Sequence, residues 1–255
     1  VNRKTITCPS APADKTYNGS SQASGITCPT GSSAGGTTSG TNAGSYTETC
    51  SANSGYKFAS ACSVTWKINK KSVAVTWGST TSWVYDGNNH IPTGSVTTGI
   101  SAETMALSIV TAKKDVGSYT ATASCSSVTG GQAKCDNYTL TSTTKGFEIT
   151  KATGSVSLNE TSGTLTYGTN KTVTITKTGD GSLSCSSSDT SVATCSISGT
   201  TLTITPVANT ADGKTATITV TLSAGSNYNG ATATYAATVN RKTITCPSAP
   251  ADKTY

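Results

Sequence analysis

Thr215-Ala216-Thr217-Ile218-Thr219-Val220-Thr221-Leu222 alternates threonine with an apolar residue without a break. A period of two puts one row of side chains on each face of a β-strand, so Ala216, Ile218, Val220 and Leu222 line one face and the threonines the other. The same alternation surrounds Val173 and Ile175 in 172–176, and Leu202 and Ile204 in 201–205. Turn pairs punctuate it at intervals of about 8–12 residues: Asp86-Gly87, Gly130-Gly131, Asp180-Gly181, Asp212-Gly213 and Asn229-Gly230. No stretch forms an amphipathic helix of useful length. The chain reads as all-β.

Outward from that strand, the next landmark is a repeat. Residues 1–17, VNRKTITCPSAPADKTY, recur unchanged as residues 239–255, so one period spans 238 residues. Fixed-period identity marks repeat architectures, and it predicts that the chain is a window on a tandem array whose partners are further copies of itself. One period is too long for a single small domain and suits several domains of ordinary size. Similar phrases mark two internal boundaries: Ile68-Asn69-Lys70-Lys71 and Ile149-Thr150-Lys151 both match Val239-Asn240-Arg241-Lys242. The expected modules are 1–69, 70–150 and 151–238, with 239–255 opening the next repeat. Linkers this short leave little freedom, so the modules are expected to dock end to end. The first two look related, because Asn42-Ala43-Gly44-Ser45-Tyr46-Thr47 matches Asp115-Val116-Gly117-Ser118-Tyr119-Thr120, and Tyr17-Asn18-Gly19 matches Tyr85-Asp86-Gly87.

Only 12% of residues are charged and 34% are hydrophobic, while Ser and Thr make up roughly a third of the chain. The net charge of +6 comes from Lys and Arg scattered singly or in pairs. That is a solubilising pattern, with no basic stripe for nucleic acid. No run of 18 apolar residues provides a membrane span. The nine Cys fall at 8, 28, 50, 62, 125, 135, 185, 195 and 246; Cys246 repeats Cys8, leaving an even eight per period. No tight Cys pair with His suits zinc. A disulfide framework is expected instead, and with it a secreted or cell-surface, extracellular setting. Spacing and parity with neighbouring apolar residues pair Cys50 with Cys62, Cys125 with Cys135 and Cys185 with Cys195 as hairpin bridges. Cys8 and Cys28, each in an Ile-Thr-Cys-Pro phrase, are left for one another.

Asp115-x-Gly117-x-Tyr119 resembles the phrase that opens strand F of immunoglobulin folds, where the Tyr hydroxyl bonds back to the preceding corner. The Cys that follows two residues later in those domains is replaced here by Glu48 and Ala121. Through Tyr85-Asp86-Gly87, Pro92-Thr93-Gly94 and the Gly-Ser-Tyr-Thr strand, modules one and two are similar to the MBG and YDG-type repeats of bacterial surface proteins. Through Ser187-Ser188-Asp189-Thr190-Ser191-Val192-Ala193-Thr194, Gly199 and the 215–222 strand, module three is similar to the bacterial immunoglobulin-like (Big) repeat. The resemblance implies tandem immunoglobulin-like β-sandwich modules arranged end to end, found in adhesins, stalks and extracellular fibres, without associated chemistry.

Nothing in the chain reads as an active site. His90 is the only His and sits in a loop-like Asn88-Asn89-His90-Ile91-Pro92. Ser82, Asp86 and His90 make a triad only on paper, with no nucleophile elbow or oxyanion motif. No catalytic, cofactor-binding or metal-ligating set is expected. Tyr17, Tyr56, Tyr85, Trp77 and Trp83 are better placed for core or module junctions than for stacking on sugars. Asn18, Asn137, Asn159 and Asn170 open N-glycosylation sequons, and the Ser/Thr-rich loop in the 30s invites O-glycosylation. The reading is a repeat unit of a secreted bacterial fibre or long surface stalk. The alternative is an adhesin module that recognises glycans or a host surface protein.

Overall fold

The computed structural model describes residues 2–131, 134–207 and 211–248. Its regular elements are β-strands apart from one 3-10 turn at Cys135–Asn137, and among the described residues no helix is long and apolar enough to cross a membrane. The chain is all-β, built of tandem immunoglobulin-like β-sandwiches. It divides into two compact units. One comprises the chain up to Ser82, Asn89–Lys113 and Ser118–Glu148; the other comprises Trp83–Asn88, Lys114–Gly117 and the chain from Ile149.

In the second unit the alternating stretch forms the strand Lys214–Leu222, paired antiparallel with Ala231–Asn240. Ala216, Ile218, Val220 and Leu222 are fully buried, whereas the threonines between them are exposed or half-buried. These two strands lie between Ser162–Thr166 and Leu183–Ser187 in one four-stranded sheet. The other sheet runs in the order Ser155–Leu158, Lys171–Thr178, Thr201–Pro206 and Ala193–Ser198. A single apolar cluster takes Val173, Ile175, Leu202 and Ile204 from this sheet and Ile218, Val220, Tyr235, Ala237 and Val239 from the first. Two sheets that bury one face each against the other make a sandwich.

Residues 71–150, most of which belong to the first unit, supply a four-stranded sheet (Ser82–Val84, Thr144–Thr150, Gly117–Thr129, Thr104–Val110) and a three-stranded one (Gly94–Val96, Lys71–Trp77, Tyr138–Thr141). Residues 4–69 supply the sheet Lys15–Thr16, Cys62–Asn69, Gly44–Ala52 and Ser32–Gly36. Two short pairs complete it: Lys4–Ile6 beside Tyr56–Phe58, and Gln22–Ala23 beside Ser39–Gly40. The apolar core does not stop at residue 70, because Tyr17, Trp66 and Ile68 pack in one cluster with Val73, Met105 and Tyr138. The corner bond implied by the immunoglobulin likeness forms at Tyr46, whose hydroxyl donates to the Asn42 carbonyl at 2.5 Å while its ring stacks on Trp66. Glu48, in the place of the usual cysteine, is 2% exposed and accepts a hydrogen bond from Ser24 Oγ.

The disulfides correct the expected pairing in the first 69 residues. Cys50 and Cys62 do face each other in register across adjacent strands. They are not bonded to one another: Cys8 joins Cys62 and Cys28 joins Cys50, with Cα separations of 5.4 and 5.6 Å. Strand side chains stand off the sheet, so each buried sulfur is aimed at the segment lying over it instead of at its neighbour. Cys125 bonds Cys135 in the 3-10 turn, not in a strand. Cys185 bonds Cys195, but the two lie on edge strands of different sheets, so this bridge ties the sandwich together and does not close a hairpin. The pairing found closes longer loops. In the chain-entropy model the 54-residue span of Cys8–Cys62 stabilises by about 4 kcal/mol, against about 2.7 kcal/mol for a span of 10.

Two outcomes follow. Replacing Cys8 and Cys62 together by Ala should lower the unfolding free energy measured in urea by about 1.3 kcal/mol more than replacing Cys185 and Cys195; equal losses would contradict the pairing. Tyr235 is fully buried and its hydroxyl has no hydrogen-bond partner. An unpaired buried hydroxyl costs about 1–3 kcal/mol, so Tyr235→Phe should raise stability by about 1 kcal/mol in the same assay.

Candidate functional site

The groups that could have carried chemistry are engaged elsewhere. Ser82 Oγ donates to Glu148 at 3.0 Å, and the Asp86 carboxylate accepts the Asn88 backbone N–H at 2.8 Å within its own turn. His90 exchanges backbone hydrogen bonds with Lys113 in an isolated antiparallel bridge. Among the described residues no three His, Cys, Asp or Glu side chains gather as a metal site would require. Of the sequons, Asn18, Asn159 and Asn170 are exposed. Asn137 is 1% exposed and its amide is used inside the protein at both ends, so it is corrected from glycan acceptor to structural residue.

What Asn137 does instead identifies the site. It closes the 3-10 turn just before the strand Tyr138–Thr141, which runs parallel to Lys71–Trp77. Its Oδ1 accepts the Ala43 backbone N–H at 2.8 Å, and its Nδ2 donates to Asn42 Oδ1 at 2.9 Å. Those two residues form the corner before the Gly44–Ala52 strand. One amide thus matches a backbone donor and a side-chain acceptor together. The next residue, Tyr138, meets Tyr17 edge to face, with ring centroids 5.4 Å apart. Both hydroxyls donate to Glu103, which is 7% exposed. Burial first, and then the Glu103 carboxylate, push the Tyr17 phenol up to about 12 and the Tyr138 phenol up as well.

The second unit contains the same clasp made from other residues. Asn227 Oδ1 accepts the Val116 N–H at 2.9 Å, and Nδ2 donates to Asp115 Oδ1 at 3.3 Å. The next residue, Tyr228, meets Tyr85 edge to face at 5.4 Å. Asp180 holds the clasp from behind by accepting the Asn227 N–H at 2.8 Å, a bond that lowers its carboxyl below the usual range. The matched phrases 42–47 and 115–120 are therefore corners that receive an asparagine, and the matched Tyr17 and Tyr85 are rings that receive a tyrosine. Asn137-Tyr138 and Asn227-Tyr228 went unread as a pair. Their signal is an Asn-Tyr dipeptide that recurs at 137–138 and 227–228.

No family model matches the chain, and no curated protein matches it. Solved structures do. Domains 4 and 5 of the S-layer protein SbsC are 18% identical with a TM-score of 0.30, covering 65% of this chain and 98% of that one. SbsC domains 1–6 are 15% identical with a TM-score of 0.34, covering 78% of this chain but 32% of that one. Titin domains I67–I69 are 10% identical with a TM-score of 0.32, covering 86% and 84%.

Glu103→Ala leaves two buried phenols without an acceptor and should cost about 2–5 kcal/mol, whereas Glu103→Gln keeps one acceptor and should cost less. A phenol whose pKa is raised on folding favours the folded state below its unfolded value near 10. That contribution is lost as pH climbs through the folded value, about 12 for Tyr17. Tyrosinate absorbance should therefore show phenols that stay un-ionised above pH 10 and titrate together with alkaline unfolding; normal titration of all ten tyrosines would contradict the clasp.

Proposed function

We propose that the chain is a structural repeat unit of a secreted bacterial extracellular fibre or long surface stalk, stabilised by disulfides and exposed to an oxidising exterior. Its modules are 1–69, 70–150 and 151–238, the first two of MBG/YDG type and the third of Big type. The observation that carries this reading is the clasp made twice from matched parts. A protein that needs only to bind a ligand has no use for one junction device repeated along its length. A load-bearing array needs each junction to be the same and to resist bending. The unchanged recurrence of 1–17 at 239–255 adds that the array repeats at the level of the whole period. Four disulfides suit a compartment where cystines persist, and a low-charge Ser/Thr surface suits an exterior structure that carries glycans at Asn18, Asn159 and Asn170.

Native fibres boiled in detergent with reductant test the reading. They should remain far larger than the 25.6 kDa of a single chain, because successive periods are joined by peptide bonds. Collapse to a band of that mass would mean strand-exchanged subunits. Recognition of specific sugars on a glycan array by a chain that forms no fibres would replace the structural reading with the adhesin.

A further inference from the structure

Three tyrosines occupy one structural position. The Tyr17 N–H donates to the Asn69 carbonyl at 2.9 Å, the Tyr85 N–H to Thr150 at 2.9 Å and the Tyr167 N–H to Asn240 at 3.0 Å. In each case the acceptor lies at the end of a final strand. Three turns likewise share one position: Asn42-Ala43 before the strand Gly44–Ala52, Asp115-Val116 before Gly117–Thr129, and Asp212-Gly213 before Lys214–Leu222. The first two tyrosines and turns are filled by Asn137-Tyr138 and Asn227-Tyr228. Tyr167 instead stands 44% exposed.

The filling residues also share a position. Tyr138 pairs in parallel with Lys71, two residues past Asn69, and Tyr228 with Ala152, two residues past Thr150. A third tyrosine pairs in this way: Tyr56, parallel to Lys4. Two residues past Asn240 comes Lys242, which by the 17-residue repeat is Lys4 over again. Gly55 precedes Tyr56 where the other two have asparagine, and the third corner has already compensated for that. The Gly213 N–H, counterpart of those of Ala43 and Val116, donates to Asn240 Oδ1 at 3.0 Å, and Asp212 Oδ1 accepts the Arg241 N–H at 2.5 Å, so the end of the neighbouring strand Ala231–Asn240 and the residue after it already fill this turn. The segment that would lie beside Tyr56 is ready: Ile244, the counterpart of Ile6, is 86% exposed, and Cys246, the counterpart of disulfide-bonded Cys8, is a free thiol.

We propose that Tyr167, beside the already filled Asp212-Gly213 turn, is the receiving half of a third clasp, reduced to its ring contact. Its occupant is Tyr56 of a second copy of this chain, the copy whose residues 1–17 are residues 239–255. Cys246 then bonds the Cys62 of that copy. The two thiols give up two protons and two electrons to a disulfide oxidant such as glutathione disulfide, which leaves as two thiols. The clasp continues the two interfaces already present and is head-to-tail, so it propagates without closing.

The inference rests on the tandem reading and is tested apart from it, in a recombinant chain of two periods, 1–238 followed by 1–255. Refolded with glutathione, this chain should keep one free thiol, as the single period does. Tetranitromethane should nitrate Tyr167 freely in the single period, and the nitrated yield per Tyr167 should fall about twofold in the two-period chain. Tyr167→Cys in the first period combined with Tyr56→Cys in the second should form a cystine between them, found by peptide mapping. Undiminished nitration, with both introduced thiols still open to alkylation, would overturn the clasp. Additional free thiols would overturn the Cys246–Cys62 bond. Neither result touches the size of boiled native fibres, so the two readings fail separately.

Discussion

An asparagine amide presents an acceptor and a donor side by side, and each turn ahead of a Gly-Ser-Tyr strand presents the complement, a backbone N–H beside a side-chain oxygen. At Asn137 this match is made out of water, where an unmet amide would cost about 2–7 kcal/mol. The bond pair therefore tolerates no drift: a shift of the Asn42-Ala43 corner breaks both hydrogen bonds together. Glu103 adds a second constraint in the same cluster, because two buried phenols converge on one carboxylate. With the apolar cluster running from Trp66 through Tyr17 to Val73, these contacts join residues 4–82, 89–113 and 118–148 in one unit.

The rest of the molecule is economical. Few aromatic side chains are available, and the first 69 residues rely on strands as short as Lys4–Ile6 and Lys15–Thr16. Strands of two or three residues contribute little by themselves. Cys8 anchors one of them two residues beyond its end, and Cys28 fixes the loop that lies over Cys50, so covalent closure replaces packing where packing is scarce. In the 155–240 sandwich the reverse holds: the core of Val, Ile and Leu is continuous, and Cys185–Cys195 only links two sheet edges. The buried Ser24–Glu48 bond shows the same economy, a hydrogen bond closing inside the sheet where no disulfide does.

Much was legible in the residues themselves. The alternation of 215–222 states which side chains face inward, because β-strand periodicity is a local property of the backbone. The matched corner and tyrosine phrases were visible as kinship for the same reason. Their role was not, because Asn42 and Asn137 are far apart in the chain, and nothing local distinguishes an asparagine that receives a glycan from one buried in a turn. Parity placed Cys50 and Cys62 on the inner face, yet it is silent on what lies above that face.

The sequence by itself therefore determined strand content, facing, turn positions and the length of the period, since each is set by neighbours along the chain. The tertiary structure alone decided that Cys62 meets Cys8, that Cys185–Cys195 spans two sheets, and that Asn137 and Asn227 grip equivalent corners. Those outcomes depend on which segments are stacked across a core, and stacking is settled by the burial of all the faces at once.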